Sequence, residues 1–132
     1  MKSLLAAAAA SLALAASGTA ANAQISDDVV KLGVLTDMSS LYADITGSGS
    51  ETAAKMAAED FGGAVLGRKI EIVVGDHLNK ADLSANIARD MIDNQGVEMI
   101  FDVAASATAL AAAEIAKARG KIIMFNGPGS IR

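Results

Sequence analysis

Val29-Val30-Lys31-Leu32-Gly33-Val34-Leu35 is an apolar run interrupted by one charge, and it follows the polar lead-in Gln24–Asp28. A run this short and this apolar reads as a strand buried on both faces. Asp37–Thr46, a loop of small polar residues, comes next, and then an amphipathic stretch, Ser48–Phe61. Ser48 with Glu51 three residues on predicts a capping box. Ala53, Met56, Ala57 and Phe61 fall on one helical face, and Gly62-Gly63 ends the helix. Strand, small-residue loop, helix, glycine stop is the unit that decides the fold.

Toward the C-terminus the unit recurs. Lys69–Val74 predicts a second strand, with Ile70, Ile72 and Val74 alternating with Glu71 and Val73. Asn79 is the expected cap of the next helix, with Asp82 in its first turn; Leu83, Ile87 and Met91 lie four apart with Ala88 and Ile92 beside them, and Gly96 closes it. Glu98–Val103 is a third strand. Ser106 or Thr108 opens a third helix that runs to Arg119, where Lys117 and Arg119 suit the negative end of the dipole and Gly120 terminates. Lys121–Phe125 is the fourth strand, followed by the turn Asn126–Ser130. Four strands alternating with three helices predict a partial doubly wound α/β fold, βαβαβαβ, with a parallel sheet and right-handed crossovers.

Toward the N-terminus stands a different kind of segment. Lys2 supplies a positive charge, Leu4–Ala16 is almost purely Ala and Leu, and Ala21-Asn22-Ala23 gives a small-x-small cleavage pattern. Basic, apolar, small is the layout of a secretory signal peptide, so residues 1–23 are expected to be removed on export. The apolar run is too short for the ~20 residues that cross a bilayer, so no membrane insertion is expected after cleavage. The chain has no Cys, which excludes a lipid-anchored lipoprotein and any disulfide framework. Loss of Lys2 leaves 10 basic and 15 acidic residues, a net charge of −5. A mildly acidic domain with one Tyr and three Phe does not suit nucleic acid.

Ligands of an open parallel sheet sit beyond the carboxyl ends of its strands. Four loops occupy that edge: Asp37–Thr46, Gly75–Asn79, Ala104–Thr108 and Asn126–Ser130. Ser39, Ser40 and Tyr42 stand after strand one, Ser106 and Thr108 where a helix begins and favours an anion such as a carboxylate, and Ser130 after strand four. A nucleotide is not expected: Gly47-Ser48-Gly49 has Thr52 where the dinucleotide fingerprint needs its third glycine, and no Gly-Lys-Ser/Thr follows any glycine run. His77 is the one His, and Asp76–His77 reads as a loop pair satisfied locally; no metal-ligand spacing and no nucleophile with a base are found, so no catalytic residue and no cofactor are expected.

The run Val30–Asp44, with its Met38-Ser39 turn, resembles the start of the leucine/branched-chain amino-acid-binding family, the type I periplasmic solute-binding proteins of ABC importers. The likeness continues through Ala53–Ala57, Asp60–Gly63, Asp76-His77, Asn79–Asp82, Ile87–Arg89 and Asn126–Ser130. The resemblance implies a two-lobed receptor that captures a small solute, such as a branched-chain amino acid or related carboxylate, in the periplasm and delivers it to a membrane permease. Residues 24–132 would be the first part of its N-terminal lobe, with the second lobe outside the chain. By position, Ser106 or Ala105 matches the family's third loop, which holds the α-carboxylate; Gly129 and Ser130 match the fourth, and Ser39 and Tyr42 the first-loop wall. The third loop here reads Ala104-Ala105-Ser106-Ala107 where relatives carry consecutive hydroxyls, which leaves fewer hydroxyl donors for a carboxylate. Two other classes fit the fold: a sensor or chemoreceptor input domain, and a Rossmann-like enzyme, against which the broken fingerprint counts.

Overall fold

The computed structural model describes residues 28–129. The expected leader, residues 1–23, and Ser130 lie outside the described residues. The elements run β1 (Val29–Thr36), α1 (Gly47–Asp60), β2 (Ala64–Val65), β3 (Arg68–Asp76), α2 (Ala81–Asp93), β4 (Val97–Phe101), α3 (Ser106–Ala118) and β5 (Ile122–Met124). They form one five-stranded sheet of order β2-β3-β1-β4-β5. β1 pairs in parallel with both β3 and β4, and β4 with β5. The doubly wound layout is therefore present, with one addition. The two-residue β2 turns back antiparallel on β3, which makes five strands where four were expected. Two residues are too few for a periodic signal; Gly62, Gly63 and Gly67, all at positive φ, supply the turns that fold this hairpin.

Alternation along the strands divides the sheet into two faces. Gly33, Leu35, Val73 and Gly75 face α2 and α3, whereas Val30, Leu32, Ile70 and Ile72 face α1. The core lies on the two-helix side: Leu35, Ala88, Met91, Val97, Ile100, Val103, Ala109 and Ala112 form one buried cluster. Helix α2 comes very close to the sheet, because a Cβ on Gly75 would lie 2.6 Å from Ile87 Cγ2 and 2.8 Å from Met91 Cε. The two helices are tied near their N-termini, where the buried Ser84 hydroxyl donates to the Thr108 carbonyl at 3.0 Å. At their other ends Arg119 holds Asp93 through two bonds of 2.5 and 2.6 Å.

The α1 face is thinly covered. Ala54 is the one side-chain-bearing residue of α1 that is buried, and Met56 and Phe61 are 57% and 67% exposed. The expected face of Ala53, Met56, Ala57 and Phe61 is thus not the buried one; the contact runs through Ala54 and the half-buried Ala58. Ile122 and Met124 of β5 are more than half exposed on the same side of the molecule. An apolar hollow of about 530 Å³ separates them from α1.

Two expected helix caps are corrected, and the third helix opens at Ser106, one of the two starts expected for it. α1 begins at Gly47 with Thr46 in the cap position and no side-chain cap bond, so Ser48 lies inside the first turn and Glu51 pairs with Lys55 at 2.5 Å instead of closing a capping box. Lys80, not Asn79, precedes α2; Leu78 and Asn79 both take left-handed conformations, φ 49° and 53°, to bend the chain out of β3. Ala105 precedes α3, again with no side-chain cap bond. Thr108 turns its hydroxyl back to the Ala105 carbonyl at 2.8 Å rather than capping the helix.

Candidate functional site at the carboxyl edge of the sheet

β1, β3, β4 and β5 are parallel, so all four end on one edge. A cleft of about 720 Å³ opens there, lined by Tyr42, Ile45, Thr46 and Ser50 from the first loop and α1, Asn79 after β3, Asp102 and Ala104–Ala107 after β4, and Asn126, Gly127 and Gly129 after β5. Four separate loops converge on one space, and each of them contributes at least one polar side chain to its lining. By contrast the hollow on the α1 face carries one polar residue, Asn126, and has the character of a packing surface.

Two carboxylates shape the first loop. Asp37, 1% exposed, accepts from Ser40 N–H at 2.8 Å, the Ser40 hydroxyl at 2.6 Å and Tyr42 N–H at 2.9 Å. Asp76 accepts from Met38 N–H at 3.0 Å, the Ser39 hydroxyl at 2.6 Å and Leu78 N–H at 3.0 Å. Burial pushes both carboxyls up, but the hydrogen bonds outweigh it and hold each below the usual carboxylate range. The loops after β1 and β3 are therefore clamped by ionised side chains, and Tyr42 is positioned through its own backbone. His77 is fully buried. Its Nδ1 accepts from Asn79 N–H at 3.0 Å, while Asp76 bonds mainly to the first loop, so the two do not pair with one another.

The α3 N-terminus opens into the cleft through Ser106 and Ala107. First-turn N–H groups have no intrahelical acceptor, and here no side chain caps them. An alanine in the cap position leaves these donors, with the positive end of the helix dipole, facing the cleft.

Of the residues singled out from the sequence, Tyr42, Ala105, Ser106 and Gly129 line the cleft. Ser39 does not: its hydroxyl is spent on Asp76, and it braces the loop from outside. Ser130 lies outside the described residues. Sequence reading put Asn126 in the fourth edge loop without giving it a role, and missed Asp102. Asp102, 5% exposed, has the left-handed φ of 66°, and its Oδ1 accepts from Asn126 Nδ2 at 3.3 Å. The signal available was an acidic residue directly after an apolar strand, where the chain must turn toward the ligand edge. Among the described residues no group of three or more His, Cys, Asp or Glu could hold a metal ion, and no helix is long and apolar enough to cross a membrane.

Comparison with known proteins agrees with this geometry. A family model described as periplasmic binding protein matches residues 29–131. A periplasmic binding protein from Burkholderia mallei is 47% identical over 77% of this chain and 27% of its own, with a TM-score of 0.74. A branched-chain amino acid ABC transporter periplasmic ligand-binding protein from Burkholderia xenovorans is 44% identical over 76% of this chain and 27% of its own, TM-score 0.73. A solute-binding protein of an ABC transporter from Rhodopseudomonas palustris, solved with 3,4-dihydroxybenzoic acid, is 28% identical over 79% of this chain and 28% of its own, TM-score 0.73. None of the curated proteins matches the chain. The chain spans little more than a quarter of these solved relatives, and within that span it shares their fold: it belongs to the periplasmic binding protein family.

Proposed function

We propose that this chain supplies one wall of the solute site of an exported ABC-importer binding protein, and that the solute is a small carboxylate. The observation that carries the reading is the uncapped N-terminus of α3 opening into the cleft. It offers an anion several N–H donors and a favourable dipole without an opposing fixed charge of its own in the first turn. Ser106 and Ala105 hold the carboxylate, Tyr42 and Ile45 cover the solute body, and Gly129 and Ser130 contribute from the fourth loop. The apolar third-loop side chains Ala104, Ala105 and Ala107 favour a carboxylate whose remainder is apolar, either a branched-chain amino acid or an aromatic acid. Delivery to a membrane permease and cleavage of residues 1–23 in the periplasm follow from the same reading. Support comes from the relatives, one described as a branched-chain amino acid transporter component and another solved with a dihydroxybenzoic acid.

The test is a thermal-shift and calorimetric screen of the protein carrying this sequence against leucine, isoleucine, benzoate, 3,4-dihydroxybenzoate and an uncharged sugar. A carboxylate should raise the melting temperature with concentration, as mass action requires. Binding of the sugar with no response to any carboxylate would overturn the reading. N-terminal sequencing of the secreted product should begin at Gln24.

A further inference from the structure

Beneath the cleft, Nε2 of His77 and Oδ2 of Asp102 are buried and have no partner among the described residues. Thr36 Oγ1, at the end of β1 between them, is unpaired as well; leaving a buried polar atom unpaired is costly, so a donor and an acceptor at the ends of β3 and β4, on either side of β1, ask for a joint explanation. Their characters are set by their other bonds. Asn79 N–H donates to His77 Nδ1, which makes Nδ1 the acceptor; in a neutral ring the proton then sits on Nε2, a donor. The ring is held neutral by burial, which lowers its pKa against the opposing pull of Asp37, Asp76 and Asp102, the carboxylates around it. Asp102 uses Oδ1 for Asn126, which leaves Oδ2 as an acceptor.

Topology puts the two on either side of β1. His77 N–H donates to the Thr36 carbonyl at 3.0 Å, so His77 continues β3 alongside β1. The β1–β4 register pairs Val34 with Phe101, which sets Asp102 beside Leu35. His77 is thus level with Asp37 and Asp102 with Leu35, so they flank the end of β1 two strand spacings across and two residues along, about 12 Å apart between backbones. An imidazole reaching in from one side and a carboxylate from the other span most of that gap. Asp102 also holds a left-handed φ that costs a non-glycine residue energy, and a buried partner accounts for its retention.

We propose that His77 is a positioning residue whose Nε2–H is held by Asp102 Oδ2 through one bridging water. The resulting chain, Asn79–His77–Asp102–Asn126, fixes the loops after β3, β4 and β5 relative to one another under the cleft floor. That these loops touch a solute rests on the proposed function; the pairing itself does not.

The test is nitrogen NMR of the histidine-labelled protein without solute, the His77 ring being assigned by the signals that His77→Asn removes. The expected spectrum shows a neutral ring protonated on Nε2, with that proton slow enough in exchange to be seen. Asp102→Asn should shift its resonance, Asp102→Ala should lose it to solvent exchange, and Ser106→Ala should leave it in place. A proton on Nδ1, an Nε2 proton lost to exchange in the unaltered protein, or a resonance indifferent to both Asp102 substitutions would overturn the proposal. The first two readings need no variant, so a misfolded mutant cannot obscure them. Because no solute is present, failure here leaves the solute-capture reading standing, and a failed solute screen leaves this pairing standing.

Discussion

Ala105→Asp should make the protein more stable and worse at its task. Ala105 precedes α3 with φ −87° and ψ 137°, an extended cap geometry that an aspartate adopts without strain, and no side chain now bonds the first-turn N–H groups. An Asp, Asn, Ser or Thr in place of Ala at such a position is worth about 0.5–2 kcal/mol. The added negative charge at the positive end of the dipole contributes about 0.3–1 kcal/mol more. Those gains use the donors that the proposed function assigns to the solute carboxylate. Losing one charge-assisted hydrogen bond costs about 1.5–3 kcal/mol, which at about 1.4 kcal/mol per decade weakens binding roughly ten- to a hundredfold, before repulsion between two carboxylates is counted. Urea unfolding followed by circular dichroism measures the first effect. Calorimetric titration with the carboxylate returned by the screen measures the second. Ala105→Ser, which caps without the charge, should move both quantities in the same directions by less. A stabilised variant that binds its carboxylate as tightly as the parent would show that the anion is held elsewhere; a destabilised one would show that the cap geometry is misread.

Three other outcomes follow from the packing and the charges. Gly75→Ala forces a methyl against Ile87 Cγ2, a branch on a stiff helical side chain, and should lower the urea midpoint by an amount equivalent to about 1–3 kcal/mol; the cost should shrink in an Ile87→Leu background, where that methyl is gone. Asp37→Ala deprives three donors of their acceptor and should cost about 2–4 kcal/mol while loosening Tyr42, read as lost affinity for the screened carboxylate, with Asp37→Asn intermediate. Stability should fall in two stages on acidification. The His77 pKa is lowered on folding, so its contribution is complete above about 6.5 and declines as pH drops from there toward the lowered value; those of Asp37 and Asp76, also lowered, persist until pH falls below about 3.8 and through their folded values. Denaturation midpoints across pH should show both stages, and His77→Gln should remove the upper one.

The fold was legible where hydrophobic runs were long enough to carry a period. β1, β3 and β4, and α2 with Leu83, Ile87 and Met91, stand within two or three residues of where the sequence puts them. Legibility failed at the helix starts. Ser48, Asn79, Ser106 and Thr108 are good capping residues, but Asn79 and Ser106 stand one residue from the cap position, Ser48 two and Thr108 three. An offset of one to three residues is decided by how the preceding loop leaves its strand, as through left-handed Leu78, Asn79 and Asp102, and local propensity does not carry that information. Met56 and Phe61 share a helical face by their spacing, yet both are mostly exposed, because helical spacing names a face without naming what covers it.

The sequence by itself determined the alternation of strands and helices, hence a parallel sheet and the edge at which a ligand would sit, because periodicity and glycine stops act over a few residues. It also placed Tyr42, Ala105, Ser106 and Gly129 on that edge. Only the tertiary structure decided the rest. It committed Ser39 to bracing Asp76 across two strands, left the α3 N-terminus uncapped and facing the cleft, and brought Asp102 and Asn126 together from 24 residues apart. Each of those outcomes depends on strand order and register, which set which distant residues become neighbours, and a hydrogen bond between strand ends leaves no periodic trace along the chain.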